Sequence, residues 1–116
     1  MSEDAVDAVL AALAHPVRRR LIDLLVERGG RCVWELAAPF SMTRIGVMKH
    51  LAVLERAGLV HSERHGRERR LWFNAMPIQS IYDRWTNQYG AFWASRLADI
   101  KERAESKSRR RAKRCA

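Results

Sequence analysis

The sequence predicts a mainly α-helical fold with a single β-hairpin, and residues 41–74 provide the strongest evidence for it. Thr43 can cap the start of a helix, because its hydroxyl can accept from the free backbone N–H groups of the first turn. Apolar residues then recur on one helical face, at Val47, Leu51 and Leu54. Gly58 can end this helix, since glycine adopts the left-handed cap conformation without steric cost. We therefore predict a capped helix with one buried face and one exposed face.

Two strand-like runs follow that helix directly. Leu59–Arg64 and Arg69–Asn74 look like strands, and the five residues Arg64–Glu68 are predicted to form a basic turn between them. A helix followed by a basic hairpin is the layout of a winged helix-turn-helix, in which the helix enters the major groove of DNA and the wing lies along its backbone. This fold is the prediction for the chain.

Three helices are predicted before this module. Residues 4–14 form an alanine-rich helix, and Pro16 opens a second helix that ends at Gly29. A short third helix over residues 33–40 is stopped by Pro39 and pairs with the capped helix as the helix-turn-helix.

A long closing helix is predicted over residues 78–106. Large apolar side chains recur along it at helical spacing, more than a small winged domain needs for its own core. We expect this helix and the first one to form a homodimer interface, although the stripe could instead complete the monomer core or hold a hydrophobic effector. The expected interface residues are Val6, Val9, Leu10, Leu13, Trp85, Tyr89, Phe92 and Trp93.

The net charge of +9 is concentrated in two places. Residues 41–74 contain seven basic and three acidic residues, and residues 107–116 contain six basic and no acidic ones. Basic charge at a predicted DNA-binding module indicates a polyanionic partner. We predict one domain over residues 1–106, followed by a disordered basic tail at 107–116.

The side chains expected to contact double-stranded DNA lie on the capped helix and the wing. They are Thr43, Arg44, Ile45, Met48, Lys49, His50, Arg64, Arg67 and Arg69. Arg44 and Lys49 are the candidates for base recognition, since bidentate contacts to guanine are the commonest specific contacts. Arg67 and Arg69 are better suited to phosphate or minor-groove contacts. Met48 either contacts a thymine methyl group or is only tolerated there.

Three further positions have alternative interpretations. His50 either contacts a phosphate or belongs to a hydrogen-bond network within the domain. The run Arg18–Arg20 suits its helix dipole poorly, so a contact with phosphate or with an acidic partner subunit is an open alternative. Cys32 is expected to be a buried small residue rather than a redox switch.

Several classes of protein are not supported by the sequence. It contains no nucleophile elbow, no glycine-rich phosphate loop and no zinc-protease motif, so an enzyme is not expected. It contains no long apolar run and no export signal, so we expect no membrane association and a cytoplasmic location. The two cysteines, Cys32 and Cys115, are expected to be free thiols in a reducing compartment.

From about Leu10 to Asn74 the chain resembles the ArsR/SmtB-type transcriptional repressors. The resemblance is carried by the entry at Leu13–Arg18 (LAHPVR), the core Lys49–Val60 (KHLAVLERAGLV) and the wing exit from Gly66-Arg67 to Phe73. It implies a dimeric repressor that binds an inverted-repeat operator and leaves it when a signal binds.

The metal sites of that family do not match this chain. One family site uses a Cys-x-Cys pair on the third helix, where this sequence has Cys32 followed by Val33 and Trp34. The other uses Asp and His from the closing helix, and the last histidine here is His65. Three or four such ligands are needed for tight Zn(II) or As(III) binding. The aromatic closing helix, with Trp85, Tyr89, Phe92 and Trp93, resembles a metal-independent branch of the family. That resemblance implies no cofactor and leaves a small-molecule inducer as a candidate signal.

Two other functions are consistent with a basic winged domain. A general nucleic-acid or chromosome-associated binder would use the wing and the tail on the backbone without base recognition. A protein–protein adaptor would have no affinity for DNA.

Overall fold

The computed structural model describes residues 1–87 and 90–115, without the side chains of residues 91 and 113–115. In chain order its elements are α1 (Glu3–Leu13), α2 (Pro16–Glu27), β1 (Arg31–Cys32), α3 (Val33–Ala37), α4 (Arg44–Arg56), β2 (Val60–His65), β3 (Glu68–Phe73), α5 (Met76–Thr86) and α6 (Gly90–Cys115). They belong to two units, Met1–Ile81 and Tyr82–Ala116. The mainly α-helical fold with a β-hairpin is confirmed.

The first unit has one hydrophobic core to which its helices and its sheet contribute. Fully buried side chains from successive elements meet there, including Val9, Leu21, Leu36, Leu54 and Leu71. The helix-turn-helix is formed by α3 and α4, which pack against each other. This core holds α4 in place and leaves its opposite face free.

A third strand, β1, was not predicted. It has only two residues, too few for a period-two pattern, and it pairs with β3 to give the antiparallel order β1-β3-β2. Gly30, with φ 78°, precedes it, and its backbone N–H donates to the carbonyl of Leu71 over 2.8 Å. A Cβ atom on the neighbouring Gly29 would lie 2.6 Å from the Trp72 ring. Two glycines are therefore required where the chain enters the sheet.

The hairpin turn is tighter than the predicted five residues. His65 pairs with Glu68, so Gly66 and Arg67 form a two-residue loop. Gly66 has φ 65°, which suits the first position of a type II′ hairpin turn.

The predicted closing helix over residues 78–106 is two helices in the structure. α5 ends at Thr86, whose hydroxyl donates to the carbonyl of Tyr82 over 2.6 Å, and α6 begins at Gly90. Thr86, Asn87 and Gly90 all have lower helix propensity than the residues around them, which favours a helix end in this segment. The prediction of one long helix followed the apolar spacing instead.

The segment predicted to be a disordered tail, residues 107–116, lies in α6 as far as Cys115. Arginine, lysine and alanine dominate it and are strong helix formers even without an apolar stripe. Within the described part of the chain, no helix has the length and apolar character needed to cross a membrane.

Candidate nucleic-acid interface

The start of α4 is defined by the predicted cap. Thr43 has an extended backbone, and its hydroxyl accepts from the N–H of Gly46 over 3.1 Å. On the inner face of the helix Val47, Leu51 and Leu54 are buried, as predicted. Replacing such a cap typically costs about 1 kcal/mol, so Thr43 contributes to the interface by fixing where the helix begins.

The outer face of α4 carries four of the predicted contact residues. Arg44, Ile45, Met48 and Lys49 are all exposed, with Ile45 67% and Met48 44% accessible. A helix turns by about 100° per residue, so Arg44 and Lys49 are separated by about 140° around the axis. They flank the two apolar side chains instead of forming a single cationic row.

The wing presents exposed arginines beside this helix. Arg64 is near the end of β2 and Arg67 is in the two-residue loop, and both are exposed. A cleft lined by these two residues, Ser62, Glu63 and Arg69 lies along the hairpin. Exposed guanidinium groups on a protruding hairpin suit contacts with phosphates.

Arg69 has a different environment from the one predicted. Its guanidinium is paired with both carboxylate oxygens of Glu55, in the last turn of α4. The pair joins the wing to the recognition helix, so Arg69 positions the two elements relative to each other. Glu55 was not singled out by sequence analysis, because fourteen residues separate the partners and no local pattern connects them.

His50 belongs to a network within the first unit, the second of its two predicted alternatives. Its Nδ1 lies 3.3 Å from the Arg18 guanidinium, and its ring centroid is 4.5 Å from that of His15. His15 caps α2, its Nδ1 accepting from the N–H of Val17 over 3.1 Å. Burial lowers the pKa of His50 below its ordinary value, and the charges of His15 and Arg18 lower it further. A phosphate contact by His50 stays a prediction.

We expect His50 to make the folded state less stable in mild acid. Its pKa is lower in the folded chain than in the unfolded chain, where it is about 6.5. Between these two values the unfolded state binds more protons, so the free energy of unfolding falls as the pH drops below about 6.5. The free energy of unfolding, measured with urea, should differ less between pH 7.5 and pH 5.5 for His50→Gln than for the wild type. His61→Gln, on the exposed wing, is the matched control; an undiminished difference in His50→Gln would refute the assignment.

Arg18 and Arg19 contact backbone carbonyls at the end of α1. Arg18 donates to Ala12 over 2.7 Å and to Ala11 over 3.1 Å, and Arg19 donates to Leu13 over 2.8 Å. The last carbonyls of a helix lack partners within the helix, and cationic side chains can satisfy them. Arg18 thereby connects α1 to His50 on the recognition helix. Arg20 is exposed.

Two of the predicted interface residues on α1 lie in the core of the first unit. Val6 and Val9 are buried there and are not available to a partner, because α1 packs against α2 and α4. Leu13 is half-buried against the same core, and Leu10 is exposed.

The second unit exposes the large apolar residues of the closing segment. Every one of the following is more than half accessible: Tyr82, Trp85, Phe92, Trp93, Leu97 and Ile100. The Phe92 and Trp93 rings meet edge to face with centroids 5.7 Å apart. Tyr89, also predicted for the interface, lies outside the described residues.

Cys32 is buried, as predicted, at the start of α3. Its thiol donates to Glu35 Oε1 over 3.2 Å, and the other carboxylate oxygen of Glu35 is paired with Arg28. Burial raises the pKa of the Cys32 thiol, while the hydrogen bond from Cys32 lowers the pKa of Glu35.

This architecture is shared with known proteins. A family model for a helix-turn-helix domain matches residues 13–63. The HTH-type transcriptional regulator YuzN of Bacillus subtilis is 40% identical over 85 residues, which cover 68% of this chain and 92% of that protein. The transcriptional repressor SmtB of Mycobacterium tuberculosis is 42% identical over 65 residues, covering 56% of this chain and 47% of that one.

A solved structure gives the same result for the fold. An ArsR-like transcriptional regulator from Rhodococcus sp. RHA1 has 32% identity and a TM-score of 0.64, covering 87% of this chain and 93% of that one. The chain therefore belongs to the ArsR/SmtB family of winged helix-turn-helix proteins, and it is a DNA-binding transcriptional repressor.

Proposed function

We propose that this repressor binds an inverted-repeat operator as a homodimer and is released by a signal other than a metal. The observation that carries the proposal is the capped helix α4, whose outer face is exposed beside an arginine-bearing wing. In this proposal α4 of each copy enters the major groove of one half-site and the wing lies on the backbone.

Different residues supply specificity and affinity in this arrangement. Arg44 and Lys49, at the two edges of the α4 face, are proposed to bind bases. Arg64 and Arg67 on the wing are proposed to bind phosphates, which contribute affinity without base recognition.

Dimerisation is supported by the apolar surface of the second unit. Side chains such as Trp85, Phe92 and Leu97 are exposed in the single chain, and large exposed apolar surface is typical of an interaction site. Two-fold symmetry would pair this surface with its copy and match an inverted repeat.

Selection of bound duplexes from a random DNA pool, followed by salt titration, tests the proposal. We expect an inverted repeat that is bound far more tightly than a scrambled duplex at every salt concentration. The basic half of α6 favours a second candidate function, general nucleic-acid binding. That function predicts equal affinity for both duplexes and a steep common salt dependence.

The residues around Cys32 do not fit the metal site that the family resemblance implies. Thiolates bind metals, whereas burial favours the protonated thiol of Cys32. Glu35, its nearest carboxylate, is already paired with Arg28, and Trp34 follows where a second thiol would be needed. Among the described residues, no group of three His, Cys, Asp or Glu side chains is arranged to hold an ion.

We therefore expect Zn(II) or As(III), added just above the protein concentration, to leave operator affinity unchanged. Fluorescence anisotropy of labelled operator measures this, with EDTA-treated protein as the reference. A stoichiometric loss of binding that disappears in Cys32→Ser would contradict the proposal.

A further inference from the structure

The exposed face of α4 has an apolar centre and cationic edges. Each residue of a helix is rotated by about 100° around the axis from the one before it. With Arg44 placed at zero, Met48 lies at about 40°, Ala52 at about 80°, Ile45 at about 100° and Lys49 at about 140°. All five side chains are exposed. We call Ile45, Met48 and Ala52 the apolar row.

The apolar row does not contribute to the core of the first unit. The opposite face of the same helix supplies that core through Val47, Leu51 and Leu54, which are at most 3% accessible. Folding of the first unit therefore does not account for an isoleucine and a methionine on the exposed face of α4.

The polar side chains of α4 restrict which bases it can recognise. The helix, RIGVMKHLAVLER, contains no Asn, Gln, Ser or Thr. Asparagine and glutamine are the residues that make bidentate hydrogen bonds to adenine, so α4 cannot recognise adenine in that way. The hydroxyl of Thr43 is already engaged by the N–H of Gly46.

One apolar group is available on base edges in the major groove, the C5 methyl of thymine. We propose that the apolar row binds thymine methyl groups and is a specificity determinant of this repressor. Each half-site then carries thymines beneath the centre of α4, and the bases contacted by Arg44 and Lys49 lie on either side. This inference extends the proposed operator binding and depends on it.

Uracil substitution tests the inference, because replacing thymine by deoxyuridine removes only the methyl group. We expect the selected operator to carry thymines at the centre of each half-site. Replacing one such thymine by deoxyuridine should weaken binding about fourfold, the equivalent of about 0.8 kcal/mol for one buried methyl. Replacing its symmetry mate as well should weaken binding about fifteenfold in all.

A protein variant identifies the residue that contacts the methyl group. Ile45→Ala should weaken binding to the thymine operator and abolish the effect of deoxyuridine at one position of the half-site. Val26→Ala is the matched control, since Val26 is 63% exposed on α2, and it should leave both affinities unchanged. Because Ile45 is exposed, the thermal unfolding of Ile45→Ala should match that of the wild type.

Two results would overturn the inference while leaving the proposed function intact. The first is a specific operator without thymines in its half-sites. The second is an operator that binds equally well when every half-site thymine is replaced by deoxyuridine. If no sequence is enriched from the pool, sequence-specific binding itself fails, and the inference fails with it.

Discussion

Replacement of both Trp85 and Phe92 by alanine is expected to convert the repressor to a monomer and to weaken operator binding by about 10²–10⁴-fold. In the single chain the two side chains are 59% and 54% accessible, with Arg84 and Arg96 stacked over their rings. Aromatic side chains of this size bury large apolar areas, and they dominate interfaces when a partner covers them. The loss of the dimer explains the loss of operator affinity. A monomer contacts one half-site only, whereas in a dimer the binding of one copy raises the effective concentration of the other at the second half-site.

Sedimentation velocity at micromolar concentration and operator titration measure the two effects on the same samples. Trp34→Ala is the matched control, since Trp34 is 59% accessible but lies on α3 in the first unit. It should leave the dimer and its affinity unchanged. A wild-type protein that sediments as a monomer would refute the homodimer. A double variant that stays dimeric would show that the interface lies elsewhere.

Arg44→Ala is expected to weaken operator binding by about 1–3 kcal/mol, and binding to a scrambled duplex much less. Arg44 is exposed in the first turn of α4, and the N-terminal end of a recognition helix is the part that contacts base edges. Loss of a bidentate contact to guanine should relax the preference at one position of the half-site. Lys49→Ala should relax a different position, because the two side chains lie at opposite edges of the face.

Arg67→Ala should behave differently, because its side chain projects from the wing loop and is assigned to phosphates. We expect the affinities for the operator and for the scrambled duplex to fall by similar factors, and the salt dependence of binding to become shallower. Deletion after Ser106, which removes the basic end of α6, should act in the same way.

The Arg44→Ala and Arg67→Ala variants together distinguish base recognition from backbone binding. An equal loss on both duplexes in Arg44→Ala would contradict base recognition by α4 and favour backbone binding alone. A selective loss of operator binding in Arg67→Ala would mean that the wing recognises bases or groove shape.

The first four helices and the hairpin of the first unit could be predicted because their signals are local. The Thr43 cap, the spacing of Val47, Leu51 and Leu54, and the glycine after α4 all act within a few residues, and the structure has each of them. The break between α5 and α6 also has a local signal, in Thr86, Asn87 and Gly90. The apolar periodicity of the closing segment outweighed that signal and led to the prediction of one long helix.

The sequence by itself determined the recognition helix, the hairpin and the concentration of basic charge, because capping, periodicity and composition depend on neighbours along the chain. Only the tertiary structure decided which arginines have partners within the protein. Arg69 is exposed but paired with Glu55, and Arg18 binds the end of α1 and His50, whereas Arg44 and Arg67 project from α4 and from the wing loop as exposed side chains. Such partners come from residues far apart in the chain. The sequence alone therefore does not show whether a given guanidinium contacts a carboxylate, a backbone carbonyl or solvent.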